Sequence, residues 1–285
     1  MCLLVLRYDW SVSETKTGIA PLVICSNRDE LFARETSSGC IRDGNSYYPI
    51  DEEAGGTWIA FSKLKKRFVV VLNFHDFRYT DIIPPATSDE KSSRGRLPLD
   101  FINSDLTVSA ECYCRNISLQ SYNGFNLIVG DESGCFFVSN REELTPIMLE
   151  PGIVHGFSNG KRSSQWEKVV LSVDRISDVI KNTKFKNSRE DSRLLTQSLI
   201  DVMRDSTPLS DYTTGYSNEQ NSKLSAIFVV PCLRNSDPRS LFGTRTITIA
   251  LLVIGDKDVS DDTLIISESN FNHEAKRWTC FETFL

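Results

Sequence analysis

A cysteine at position 2 stands where position alone lends it chemistry. If the initiator methionine is removed, Cys2 carries a free α-amine beside its own thiol. The reference pKa of such an amine is about 7.7–8.0 and that of the thiol about 8.5, so proton transfer between them is easy at neutral pH. An N-terminal nucleophile of this kind uses its amine as general base and needs no histidine. The chain does hold three histidines, His75, His155 and His273, which leaves a Cys–His site open. The plain alternative for Cys2 is a small apolar residue opening a buried strand.

The elements that would position Cys2 follow from the flanking pattern. Cys2 to Leu6 and Pro21 to Cys25 are apolar runs joined by the polar SVSETKTG, which reads as an antiparallel hairpin. The second run continues into Asn27, Arg28, Asp29 and Glu30. Strand alternation puts Cys2, Leu4 and Leu6 on one face; on the partner, Leu22, Ile24, Ser26 and Arg28 alternate with Val23, Cys25, Asn27 and Asp29. Antiparallel pairing returns the polar tetrapeptide to Cys2. There a guanidinium favours thiolate, and a carboxylate holds an ammonium or orients the arginine. The tetrapeptide alone reads equally as a strand-end salt bridge with a loop cap.

Further along, GGTWIAFS (Gly55 to Ser62) and RFVVVLNF (Arg67 to Phe74) form a second hairpin, with KLKKR (Lys63 to Arg67) as its solvated tip. A long polar connection, Arg78 to Gly95, precedes helical patterns in LPLDFINS and VSAECYCRNI. Strands resume at GFNLIVGD and CFFVSN, around a DESG turn, with shorter ones in TPIMLEPGIVHGFSN. Amphipathic spacing predicts helices over Gln165 to Lys181 and Asp191 to Asp205. A polar loop, Ser206 to Lys223, leads to closing strands at LSAIFVVP, TRTITIALLVIG and TLIISES. Helices that interrupt runs of hairpins exclude a doubly wound parallel sheet and point to an α+β layered fold. Wholly apolar strands imply sheets covered on both faces.

Composition sets outer bounds. With 285 residues, 40% hydrophobic and 25% charged, one globular domain over residues 1–285 is expected. A net charge of −6 with interspersed signs argues against nucleic acid and anionic membranes as partners. The longest apolar stretch, Ile247 to Gly255, is far shorter than the roughly 20 residues that span a bilayer. No secretion signal is visible, and a cytoplasmic setting is the expectation. Eight scattered cysteines suggest neither a metal site nor a disulfide framework.

Met-Cys at the start, PLVICSNRDE, GGTW, SSRG, GFNLIVGD, FSN, LSAIFV and GTRTIT occur in that order. Together they resemble the NRDE-motif family named for transport and Golgi organisation protein 2. The resemblance implies an N-terminal nucleophile hydrolase-like fold, a four-layer αββα sandwich of two stacked, mainly antiparallel sheets. It further implies haem handling or lipid and acyl-CoA homeostasis, with Golgi and mitochondrial links. A remoter similarity to cysteine amidases points to Cys2 as nucleophile, Arg28 and Asp29 beside it, and Asn159 as an oxyanion donor. Asn27, Asn73, Trp58, His155 and Arg245 are then ligand-binding positions. The chain departs from the family pattern at Ser62 and Lys63, where relatives often carry an Asn–Glu pair, and at Phe74 and His75.

Two functions follow from this reading. The first is a carrier that holds haem or a lipid-derived acyl ligand in the cleft. Haem would bind noncovalently, since no C-x-x-C-H attachment motif is present, and no cofactor or metal is required. The second is a cysteine hydrolase acting on an acyl amide or thioester through Cys2.

Overall fold

The computed structural model describes residues 2–11, 20–75, 91–183, 188–209, 218–254 and 262–285. The SVSETKTG turn beyond Ser11, most of the Arg78 to Gly95 connection and part of the Ser206 to Lys223 loop lie outside these residues. In chain order the strands are β1 (Leu3–Tyr8), β2 (Leu22–Leu31), β3 (Thr36–Arg42), β4 (Ser46–Asp51), β5 (Ile59–Ser62), β6 (Arg67–Asn73), β7 (Phe125–Asp131), β8 (Gly134–Ser139), β9 (Ile147–Met148), β10 (Val154–Phe157), β11 (Cys232–Leu233), β12 (Leu241–Val253), β13 (Thr263–Asn272) and β14 (Arg277–Phe284). The helices are α1 (Arg96–Ile102), α2 (Ala110–Asn116), α3 (Glu167–Asn182), α4 (Arg189–Met203) and α5 (Asn218–Ser225). Two antiparallel sheets with few helices make the protein α+β, and the chain divides into two compact units.

The first unit comprises Met1–Ala33, Gly152–Phe157 and Gln165–Phe284. Its sheet runs β10-β1-β2-β12-β13-β14, with β11 beside β12. The expected hairpin register is present, from Leu3 opposite Asn27 to Tyr8 opposite Leu22. Period-two alternation sends Leu3, Val5, Val23, Cys25, Ile247 and Ile249 to one face, where they pack with Val169 and Ile176 of α3 and Leu195 and Leu199 of α4. α3 is helical because its apolar residues recur at three and four, with Glu167 in its first turn and Lys181 in its last, each favourable to the helix dipole. α4 starts where the Ser188 hydroxyl accepts a bond from the Asp191 amide at 3.0 Å. Gly156 on β10 lets α3 come close: a Cβ there would stand 2.6 Å from methyls of Val169 and Val173.

β2 remains strand through Leu31, so Asn27 to Glu30 are strand residues and not a loop cap. The reason is β12, which pairs with β2 from Leu22 to Leu31 and satisfies the main chain of the polar tetrapeptide. A bulge falls between Thr244 and Thr246.

The LSAIFVVP segment is not the strand its composition predicts. Leu224 and Ser225 end α5, and only Cys232–Leu233 pair as β11. Leu224, Ala226, Ile227 and Val229 are buried nonetheless. Val229 alone docks on β12, its amide donating to the Thr244 hydroxyl and its carbonyl accepting from the Thr244 amide. Burial without a ladder gave a strand-like composition to a coil.

The second unit comprises Arg34–Pro151 and Ser158–Ser164, together with Leu285. Its sheet follows chain order from β3 to β9. Val69, Val71, Phe125, Leu127 and Val129 alternate onto the face that packs Leu97, Phe101 and Ala110 of α1 and α2. The β3–β4 hairpin turns through three residues, Asp43 (φ 50°), Gly44 (φ 69°) and Asn45, whose amide donates to the Arg42 carbonyl at 3.1 Å. One member of the KLKKR tip is misplaced by its charge. Arg67 is buried, donating to the carbonyls of Ser104, Asp105 and Val108, which follow α1. Those acceptors satisfy the two terminal nitrogens of the guanidinium that composition assigned to solvent. Among the described residues no helix is long and apolar enough to cross a membrane.

Candidate functional site

Cys2 lies one residue before β1 and is half-buried, its thiol 3.7 Å from the Asp29 carbonyl oxygen. Extending the hairpin register one step beyond Leu3–Asn27 sets Cys2 opposite Arg28. The neighbourhood expected for Cys2 on β2 is therefore assembled. Burial pushes the thiol upward, the Asp29 and Glu30 carboxylates add to this, and the chain's terminal ammonium opposes it. The balance favours the protonated thiol over a resting thiolate.

Behind it lies the Asp29 carboxylate. Its Oδ1 accepts from the Thr244 hydroxyl at 2.6 Å, and its Oδ2 lies 3.8 Å from Nζ of Lys168. Neither side chain of the Lys168–Asp29 pair has exposed surface. Nζ also donates to the Leu224 carbonyl at 3.3 Å and lies 6.0 Å from the Trp166 ring centroid. Burial pulls the lysine ammonium down, while Asp29 and Cys2 push it up. Sequence reasoning missed Lys168, because a charged residue between Trp166 and Val169 reads as part of the solvent face of the helix. Its spacing held a signal: Ser172 and Ile176, at four and eight residues on, are buried on the same line of the helix.

The opposite face of this sheet changes character along its strands. Leu6, Ile24, Ala250, Leu252 and Ile266 make one end apolar. Towards Cys2 two polar rows follow, Ser26–Thr248–Glu268 and Arg28–Thr246–Asn270. Thr246 donates to Asn270 Oδ1 at 2.8 Å, and Asn270 Nδ2 donates to Glu268 Oε1 at 2.7 Å. All of these except Asn270 are buried.

The remaining expected residues take other places. Asn27 points to the helical side, its Nδ2 donating to the carbonyls of Met203 and Ile227 at 2.9 Å each. It ties α4 to the segment after α5. His155 pairs with Leu6, about 13 Å along β1 from Cys2 by strand rise. Arg245, at the β12 bulge, donates to the Leu31 carbonyl at 3.0 Å and lies over the Phe32 ring. Three residues belong to the second unit. Trp58 packs against its core. Asn159 is buried, its Nδ2 donating to the carbonyl of exposed Asn73 and its carbonyl accepting from the His75 amide.

The sequence profile described as "Transport and Golgi organisation 2" matches residues 1–260. The chain is similar to the "Transport and Golgi organization 2 homolog" of Mus musculus, 25% identical over 98% of this chain and 96% of that protein. It is similar in the same degree, 25%, to the "Transport and Golgi organization protein 2 homolog" of Homo sapiens, over 96% of each chain. With a match over most of its length and motifs that meet at one end of the β1–β2 hairpin, the chain belongs to the transport and Golgi organisation 2 family.

Proposed function

We propose that this protein is a ligand-handling member of its family, holding haem or a lipid-derived acyl ligand against the first-unit sheet near Cys2. The fold we assign to it is N-terminal nucleophile hydrolase-like, and its setting the cytoplasm with Golgi or mitochondrial association. The observation that carries the reading is the sheet face that runs from Leu6, Ile24 and Leu252 to the buried polar rows around Arg28 and Glu268. Apolar surface that ends in a few convergent polar groups suits an amphipathic small molecule with a carboxylate or other polar head. A thiol held protonated by burial favours binding over attack. Titration of haem, and separately of a fatty acyl thioester, into the purified protein tests the reading. Saturable binding of either ligand, weakened in Arg28→Met, is expected; no saturable binding of either overturns it.

A second reading, a cysteine hydrolase of acyl amides or thioesters, draws support from one different observation. The buried Lys168–Asp29 pair beside Cys2 is the kind of charged group that a nucleophile site maintains. Turnover of an acyl thioester that disappears in Cys2→Ala is its expected result. Equal turnover by the variant removes it.

A further inference from the structure

Each sheet has an edge strand at either end, and three of these four edges are blunted. β9 has two residues and β10 four, with α3 close over Gly156 of the latter. β3 carries Ser37, Ser38 and Gly39 and is broken by a bulge between Ser37 and Cys40. β14 has none of these devices. It runs eight residues, Arg277 to Phe284, in unbroken register with β13, and holds no proline, glycine or lysine. Its threonines and aromatics are strand formers, and Phe281 and Phe284 are 46% and 39% exposed. Among the described residues it pairs with β13 alone, so one row of its main-chain N–H and C=O groups faces outward.

We propose that this edge pairs with β14 of a second copy of the chain, antiparallel about a two-fold axis, joining two first-unit sheets into one. Such pairing is self-complementary by symmetry: where one position faces another, the second faces the first. Opposed residues share a sheet face, so the two positions of each pair are both even-numbered or both odd-numbered.

Two registers overlap most, one centred on Cys280 and one on Phe281, and the charges choose between them. With Phe281 at the centre, Trp278 faces Phe284 of the second copy. Arg204 lies over the Trp278 ring at 4.5 Å and Arg189 over the Phe284 ring at 4.9 Å, so that register crowds two guanidiniums together. With Cys280 at the centre, Trp278 faces Glu282 of the second copy, whose carboxylate meets Arg204 instead. On the other face Phe281 then lies diagonal to Phe281 of the second copy, roughly 7–8 Å away and within aromatic reach. The paired surface is small, which makes the dimer a reversible one.

Sedimentation velocity of the full chain at rising concentration tests the proposal without any ligand. Wild type should show a monomer–dimer equilibrium; a chain that stays monomeric throughout overturns the proposal and leaves the edge to a different partner. Glu282→Lys sets a cation beside Arg204 and should weaken the dimer by about tenfold or more. Arg204→Glu combined with Glu282→Lys should recover part of that loss. Unchanged association in Glu282→Lys, or no recovery in the reversed pair, overturns the proposal. If Glu282→Lys fails to fold by circular dichroism, Phe281→Lys puts a charge on the exposed face of the same edge. A similar loss is then expected, and equal association overturns the proposal. Oxidation by copper phenanthroline, followed by peptide mass analysis, reads the register. It should link Cys280 to Cys280, whose Cα atoms the pairing sets about 4.5–5.5 Å apart, within disulfide range. A dimer that gives no such link overturns the pairing.

Discussion

Nζ of Lys168 lies 3.8 Å from Oδ2 of Asp29, and both side chains are wholly enclosed. Removing one partner leaves the other buried without its counter-charge, whereas removing both leaves an apolar space that can be filled. Lys168→Ala or Asp29→Ala should each cost about 3–5 kcal/mol. Lys168→Met combined with Asp29→Leu should recover most of that loss. Urea unfolding of the single and double variants measures it, and additive losses would show that the pair is not coupled.

Asn27 is expected to be structural. Its side-chain amide satisfies the Met203 and Ile227 carbonyls, which no neighbouring strand reaches. Asn27→Leu should destabilise the protein by about 1–3 kcal/mol for each orphaned carbonyl. Thermal unfolding reads the change, and a melting temperature equal to wild type would contradict it.

The close passage of α3 over β10 makes Gly156 sensitive to a single methyl. Gly156→Ala should cost about 1–3 kcal/mol through overpacking against Val169 and Val173. Val173→Ala in the same chain should relieve part of that cost, and a double variant no more stable than the single one, again by urea unfolding, would count against this packing.

Alkaline pH should weaken the fold through its buried thiols. Burial raises Cys2 and Cys135, and pushes Cys114 up to about 12. Unfolded thiols titrate near about 8.5, so above that pH the unfolded chain releases protons that the folded chain retains. The contribution is complete below about pH 8.5 and for Cys114 is lost progressively as pH rises to about 12. Lys168 acts in the opposite sense. Its folded pKa is lowered, so the unfolded chain binds the extra proton and stability rises with pH up to about 10.4. Urea midpoints measured from pH 7 to 10 should fall less steeply in Cys114→Ala and more steeply in Lys168→Met. Parallel curves for all three proteins would refute the assignment.

The β1–β2 hairpin was legible because alternation and burial agree along it, and α3 and α4 because their apolar residues keep helical spacing over four turns. β3 and β14 were not legible, since most of their side chains are exposed and carry no apolar period. The Asp43–Gly44 dipeptide was a turn signal for the first of these. The segment after α5 misled in the other direction, with its apolar residues buried while its backbone stays out of a ladder. At the site, the chain order of Cys2, Arg28 and Asp29 revealed their meeting through the hairpin. Lys168 joins them from 139 residues beyond Asp29, through tertiary packing that no local pattern records.

The central claim is that the end of the first-unit sheet bearing Cys2 holds the ligand. Equilibrium titration of haem and of a fatty acyl thioester into wild type and Cys2→Trp tests it most directly, with circular dichroism to establish that the variant is folded. The account predicts saturable binding of at least one ligand by wild type and a loss of about tenfold or more in affinity when the indole fills the space beside Asp29 and Arg28. Equal affinity in a folded Cys2→Trp variant would contradict it.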